Sequence, residues 1–584
     1  MKKIIFYVFA LMSGISLNGC YDLDTYPGDT LSSSLFWKTE EHAKQGLMAI
    51  YAGMRNNDAF GMNFMFDALG DIASNYDQWQ YFPRGTHTDR EGAISRKWQN
   101  LYDGVQVANG FIRNVSGMSG LDDDVKDAYI AEAKFMRALY YFSLLDVFGG
   151  VPYYDETTDI NIDFANLKKP RSTEDELRSY ILADLGEAIS KLRVSWDEAN
   201  YGRATKGAAY ALRGKVYMYN KDWKNAIADF EEVVYNRSNN YGYELDADFA
   251  RIFKLHSGAK SREMIFSVQN KGDIGALYGM PMAVYMGNNG SYGRGWSNSM
   301  PLSGLVDMYE CPDGKPFDWE DVFPGYNSTP VENGARTAKR QEIMSVELSG
   351  GVVVGLRNAD TAKILNAYKN RDPRLMATII VPYSHFNGWA SNQPKDILFA
   401  IDGNNLGNPE QGTIRHERGY VSYFWKKFVP ESNLDGAINS YFHTPFEFPL
   451  IRYADVLLML AESYNEDNQL DKAVAEFNKV RTRASVHMPG LNSGATWLAV
   501  TTKEQMAERI RKERALEFAG EGHRFSDLRR WGWEIASQAL SDVDAVNLYG
   551  EFFYTHKFNQ RDMLWPIPGA EIEKNPALTK NPGW

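Results

Sequence analysis

Gly214, Tyr217, Ala226 and Phe230 stand at offsets of 0, +3, +12 and +16, and Ala461, Tyr464, Ala473 and Phe477 repeat those offsets 247 residues further on. A small residue, an aromatic one turn later, a short polar break, then Ala and a bulky residue describe two helices packed face to face. Lys221-Asp222 forms the break in the first copy and Asn468-Gln469-Leu470-Asp471 in the second, with Asp471 placed to cap its helix. A unit of this size cannot bury its apolar face alone. It must stack on others like it, which commits the chain to a helical array.

The spacing is that of the tetratricopeptide repeat. Weaker copies follow: Ile130 to Phe148 pairs with Glu174 to Leu192, and a helix from about Glu40 to Arg55 pairs with Ile94 to Val115. A further helix starts near Lys503. The expected fold is therefore mainly α, with four tetratricopeptide-like helix pairs in a right-handed superhelix over about 40–235 and 445–535. Over about 236–445 the helical period fades and Gly, Asn, Tyr and Pro accumulate, so this insertion reads as loop-rich with few short strands. A second irregular stretch runs from Asp71 to Gly92. Loops this long inside a compact body usually carry function.

The N-terminus reads as a leader. Lys2-Lys3 precedes an apolar run from Ile4 to Leu17, too short to span a bilayer comfortably, and Leu17-Asn18-Gly19-Cys20 follows. Residues 1–19 are expected to be a lipoprotein signal peptide, with lipid carried on Cys20, and residues 20–584 a single domain. Acyl chains at about 0.8 kcal/mol per buried CH₂ hold a protein at a membrane without a spanning helix. The other cysteine is Cys311, so a lipidated Cys20 leaves no intrachain disulfide and no paired-cysteine zinc site.

Charge and motifs narrow the function. A net charge of −12 repels polyphosphate, and the most basic stretch, Arg509 to Arg530, interleaves Glu513, Glu517, Glu521 and Asp527 as an ion-paired face would. Nucleic acid is excluded. No HExxH, nucleophile elbow or phosphate loop is present in the mature chain, and Cys311 sits in a Pro/Gly turn without a neighbouring His. The sequence points to no catalytic residue, no metal and no cofactor.

Six ordered motifs carry a resemblance. They are Ala131 to Tyr141 leading into Asp146 to Pro152; Arg371-Asp-Pro-Arg-Leu375; Arg452 to Leu458; Glu513 to Arg524 with Asp527 to Gly532; Leu564-Trp-Pro-Ile-Pro568; and Asn581-Pro-Gly-Trp584. Together with Cys20 they resemble the SusD/RagB family of outer-membrane nutrient-binding lipoproteins. The resemblance implies a lipid-anchored protein facing the cell exterior, which hands oligosaccharide or polysaccharide to a SusC-like TonB-dependent transporter and performs no chemistry. A RagB-type peptide-binding lipoprotein is the alternative, and a carbohydrate-active enzyme a second one. Glu513, Glu517, Arg524 and Asp527 lie among apolar residues, which predicts a buried ion network with a structural role.

Sugar rings offer apolar C–H faces and polar edges, so a site needs exposed flat rings with polar side chains around them. Tyr is abundant, at 34 residues, and its hydroxyl must reach water or a partner, so some rings belong on the surface. Two irregular segments supply the pattern. Asp77, Trp79, Tyr81 and Arg84 come from the first, with alternation placing the rings on one face. Tyr292, Arg294 and Trp296 come from the second, interleaved with glycines that let backbone approach a ligand. Trp98, Trp223, Trp531, Trp533 and Trp565 are expected to pack, while Trp319 and Trp389 stay open.

Overall fold

A computed structural model describes residues 36–584 apart from 77–78, 160–166, 255–259, 272–277, 327–334, 350–351, 357–359, 402–407, 415–421, 432–435, 437 and 551. Cys20, the leader and Asp77 therefore lie outside the described residues.

Eight helices form four consecutive pairs. They are α1 (Glu40–Gly53) with α2 (Gly92–Ser116), α3 (Asp123–Phe148) with α4 (Glu174–Lys191), α5 (Lys206–Tyr219) with α6 (Trp223–Tyr235), and α7 (Tyr453–Glu466) with α8 (Leu470–Arg481). Each pair packs on the next: α2 on α3, α4 on α5, and α6 on α7 across the long insertion. Helix α9 (Lys503–Phe518) closes against α7 and α8, followed by α10 (Arg524–Arg530) and α11 (Trp533–Leu540).

Local chemistry sets the ends. Thr39, Asp122, Thr205 and Asp222 each cap a helix through the side-chain oxygen, and Thr173 with Glu176 forms a reciprocal capping box at α4. Asp471 departs from its expected role. Gln469 occupies the cap of α8 without a side-chain bond, and Asp471 lies inside the first turn, where its charge suits the helix dipole. The two matching copies share a backbone detail as well: Lys221 and Asn468, seven residues past Gly214 and Ala461, are left-handed at φ 59° and 60°. Gly214 is small because a Cβ there would meet the Phe230 ring at 2.6 Å.

Strands are short and paired two by two. Among them are β1 (Ala73–Asn75) with β3 (Ser299–Pro301), β2 (Met264–Val268) with β6 (Phe448–Arg452), the hairpin β4 (His385–Ala390) and β5 (Gln393–Leu398), and the hairpin β7 (Ser541–Val546) and β8 (Phe552–Lys557). The β2–β6 register sets Arg452 opposite Met264, beside Glu263.

That placement starts a buried ion network. Arg452 pairs with Glu263, with Glu517 at 3.2 Å and with Glu521 at 2.8 Å. Arg483 reaches Glu517 at 2.8 Å, and Arg374 bridges Asp372, Glu513 and Glu517 at 2.7–3.0 Å. Lys427 joins through Glu521 at 2.6 Å. A second buried group has Arg514 between Asp455 and Asp527, at 2.8 Å on each side. Burial alone would raise the Glu517 carboxyl, but Arg483, Arg452 and Arg374 outweigh it and hold it at about 2. All four expected residues are buried and ion-paired, but in three groups rather than one network: Glu513 and Glu517 share Arg374, Asp527 pairs with Arg514, and Arg524 pairs with Asp71 at 2.7 Å.

A buried histidine supplies a pH dependence. His556 on β8 is 2% exposed, and burial pushes its imidazole down to about 4, with Asp71 opposing in part. The unfolded chain therefore takes up this proton first as pH falls below about 6.5. Its contribution is complete above that pH and declines toward pH 4, by roughly 3 kcal/mol. Denaturant midpoints at pH 7 and pH 4.5 should fall apart less in His556→Phe than in the parent; an unchanged gap refutes the assignment.

Candidate aromatic binding surface

The two irregular segments meet at one ladder. Asn75 of β1 lies opposite Ser299 of β3, and Tyr76 N–H donates to the Asn298 carbonyl at 2.9 Å. From there the chain diverges into residues 79–84 in one direction and back into 292–296 in the other.

Trp79 does not form a stacking surface. It is 2% exposed, with its ring edge-on to Phe66 at 5.1 Å and to Trp565 at 5.8 Å, and tilted against Phe82 at 6.0 Å. The C-terminal Leu564-Trp565 stretch folds over it, so the indole's apolar area is spent in the core. Residues 79–85 form turns rather than a strand, so alternation does not place Trp79 and Tyr81 on one face. Tyr81 stays 42% exposed. Arg84 is half-buried and engaged within the protein, donating to Gln80 Oε1 at 2.5 Å and lying over the Tyr554 ring at 5.0 Å.

The second segment builds a surface of rings. Trp296 and Phe442 are each 38% exposed and meet edge to face at 5.6 Å; Tyr285 supports Trp296 from beneath at 6.0 Å. Tyr441 lies against Phe442 at 4.7 Å, and a Cβ on Gly293 would stand 2.4 Å from Tyr441 Cβ, so the 292–296 loop is seated directly on 441–442. Half-buried Tyr292 packs edge-on to Trp389 of β4 at 5.1 Å, and its hydroxyl donates to the Ile438 carbonyl at 3.1 Å. Trp389 N–H donates to the Gly290 carbonyl at 2.7 Å, which ties the β4–β5 hairpin to the same loop.

Backbone geometry explains the glycines. Gly293, Arg294 and Ser297 have φ of 83°, 55° and 49°, a coil that turns Trp296 outward. A Cβ on Gly295 would meet Gly287 C at 2.2 Å, and one on Gly287 would meet the Ala283 carbonyl oxygen at 2.1 Å. The two glycines lie back to back. Trp296 N–H then donates to the Val284 carbonyl at 2.7 Å and Ser297 N–H to that of Gly287 at 2.8 Å.

Polar groups surround the rings. Exposed Arg294 pairs with Glu410 at 2.8 Å, and Ser391, followed by Arg294, draws the Glu410 carboxyl below its usual range. Asn288 is fully buried; its Oδ1 accepts from Gly290 N–H at 2.8 Å. Asn288 Nδ2 and Asn289 Oδ1 make no hydrogen bond within the described residues. Flat apolar faces beside an exposed ion pair suit a ligand with C–H faces and hydroxyl edges.

Of the sequence-predicted residues, Tyr292, Arg294 and Trp296 are thus brought together, whereas Trp79 and Arg84 are committed elsewhere. Trp389 joins the surface, and Trp319 is buried. Trp98 and Trp565 pack as expected, but Trp533 keeps 37% exposure while stacking on Phe558. Tyr441 and Phe442 escaped the sequence reading. The signal was there: Ser440-Tyr-Phe-His-Thr444 sets two adjacent rings in the irregular insertion.

The profile described as the SusD family matches residues 262–584, and one described as starch-binding, associating with outer membrane, matches residues 23–218. A SusD-like protein of Formosa agariphila is 24% identical over 600 residues, covering 100% of this chain and 98% of its own. The crystal structure of a SusD-like protein from Bacteroides fragilis superposes with a TM-score of 0.72 at 24% identity, covering 95% of this chain and 99% of that one. Surface glycan-binding protein A from Bacteroides thetaiotaomicron, solved in complex with laminarihexaose, superposes with a TM-score of 0.64 at 20% identity, covering 93% and 100%.

Proposed function

The chain belongs to the SusD family, and from that premise we propose that it is a non-catalytic, cell-surface lipoprotein that captures oligosaccharide or polysaccharide on the Trp296–Phe442 surface. The observation that carries the reading is two exposed rings held by a glycine-built loop, with Tyr292, Trp389 and Arg294 beside them. Relatives point the same way, since one structural neighbour is named for glycan binding and holds laminarihexaose. Tyr81 is exposed but is not needed by this site. Lipid on Cys20 would tether the body to the outer membrane. The captured glycan would pass to a SusC-like TonB-dependent transporter.

Calorimetric titration with a panel of neutral hexasaccharides tests the site. Trp296→Ala should weaken binding by about 1–3 kcal/mol, the usual loss of a central aromatic anchor. Equal affinity of parent and variant for a glycan that binds would remove this surface from the mechanism. Thermal stabilisation by peptides and not by any glycan would favour the RagB-type reading instead. Sugar fragments released during long incubation would refute the non-catalytic assignment.

A further inference from the structure

Helix α2 borders a cleft of about 690 Å³ that shares no residue with the aromatic surface described above. That volume is within the ordinary range of small-ligand sites. Tyr102 and Tyr154 give the cleft half-buried rings, 6.0 Å apart and nearly perpendicular, with Trp98 and Leu578 completing the apolar lining. The wall is preformed. Tyr102 donates its hydroxyl to the Pro152 carbonyl at 2.7 Å, Asn109 Nδ2 donates to that of Tyr154 at 2.9 Å, and Arg113 donates to that of Thr158 at 3.1 Å. These bonds pin the 152–158 stretch to the helix.

Glu571 and Lys574 at the cleft pair with each other at 2.8 Å, and Asn575 donates to the Lys169 carbonyl at 2.8 Å, but three polar groups on α2 are uncommitted. Gln99, Asp103 and Gln106 recur at i, i+4 and i+7, so they line one face of α2 over about 10 Å. All three are exposed, and none makes a hydrogen bond or ion pair within the described residues. No cation compensates Asp103, and desolvation alone lifts its carboxyl above the usual value. A side chain in that position gains from a ligand that brings hydroxyl donors.

We propose that this cleft is a second saccharide-binding site, taking a short stretch of the same glycan that the aromatic surface holds. Tyr102 and Tyr154 would meet the C–H faces of the rings, Asp103 would accept from a vicinal pair of hydroxyls, and the two glutamines would both donate and accept. A neutral polyol can hydrogen-bond this mixed set without bringing a second charge that would need a partner of its own. Two sites on one protein raise the effective concentration of a long glycan at each of them, so polysaccharide is held far more tightly than a short fragment. The proposal rests on the glycan reading above, but its failure is separately visible.

Hydrogen–deuterium exchange of the full-length protein reads both sites at once. The probes are laminarihexaose, maltohexaose, cellohexaose and xylohexaose, each at millimolar concentration, with a pool of dipeptides as comparison. The proposal expects slowed exchange at the cleft, at Tyr102 and along 152–158, with at least one hexasaccharide. That protection should persist in Trp296→Ala and disappear in the triple variant Gln99→Ala, Asp103→Ala, Gln106→Ala, whose exposed positions leave folding unchanged. In the triple variant, protection around 287–296 and 440–444 should remain, and affinity for the parent polysaccharide should fall at least tenfold. Absence of cleft protection with every hexasaccharide overturns the second site, whether or not the aromatic surface is protected. Protection by dipeptides alone overturns it too. Cleft protection without any at the aromatic surface would keep this site and refute the first.

Discussion

Replacing Glu517 by alanine is expected to cost about 3–5 kcal/mol of stability, the penalty for stranding buried charges when one partner of an internal ion pair is removed. Three guanidinium groups lose their shared carboxylate at once: Arg452 at 3.2 Å, Arg483 at 2.8 Å and Arg374 at 3.0 Å. Each is buried, so water cannot replace the lost oxygen cheaply. The cost does not imply that the network is strongly stabilising in itself, because apolar residues of matching volume can do as well as buried ions. What the network adds is a geometric requirement: β6, α9 and the segments bearing Arg374 and Arg483 fit together in one arrangement. Denaturant titration of the variant against the parent checks the figure, and a loss below about 1 kcal/mol would mean that the site relaxes or hydrates.

Gly295→Val is expected to weaken glycan binding at least a hundredfold, about 3 kcal/mol, and to cost about 1–3 kcal/mol of stability. The Cβ alone would overlap Gly287 C at 2.2 Å and the Ala283 carbonyl oxygen at 2.5 Å, both backbone atoms that cannot swing away. The loop must lift, carrying Trp296 off Tyr285 and breaking the bonds from Trp296 N–H to Val284 and Ser297 N–H to Gly287. This removes the whole surface where Trp296→Ala removes one ring. Gly304→Ala is the control, since its Cβ enters open space, and it should leave both quantities unchanged. A Gly295→Val protein that binds like the parent would show that the ligand lies elsewhere.

The helical array was legible because its rules are local. The +3, +12 and +16 spacing around Gly214 and Ala461 reports which residues face a partner helix a few residues away, and both pairs form where it places them. The charged motif around Glu513 to Asp527 was legible too, since carboxylates and guanidiniums among apolar residues have few places to go. The proposed binding surface was half legible. Glycine alternation marked Tyr292, Arg294 and Trp296 because the requirement for tight, left-handed backbone is written in the loop itself. Trp79 carried an equally suggestive local pattern, but its fate was decided by Trp565, nearly five hundred residues later, which no local period encodes. Phe442 was missed for the same reason: only the packing of residues 441–442 against Gly293 makes it part of the site.

The ion pair between Arg524 and Asp71 spans 453 positions of sequence, and Trp565 supplies the ring that covers Trp79. Partners so distant cannot meet until nearly the whole chain is available, and closing such long loops is slow compared with forming the local helices. The early helix pairs would therefore wait during synthesis with Trp79, Asp71 and their neighbours uncovered. In the export proposed above, the body would lock only once the segments bearing Arg524 and Trp565 had emerged, so the late C-terminal stretch would set when the fold closes.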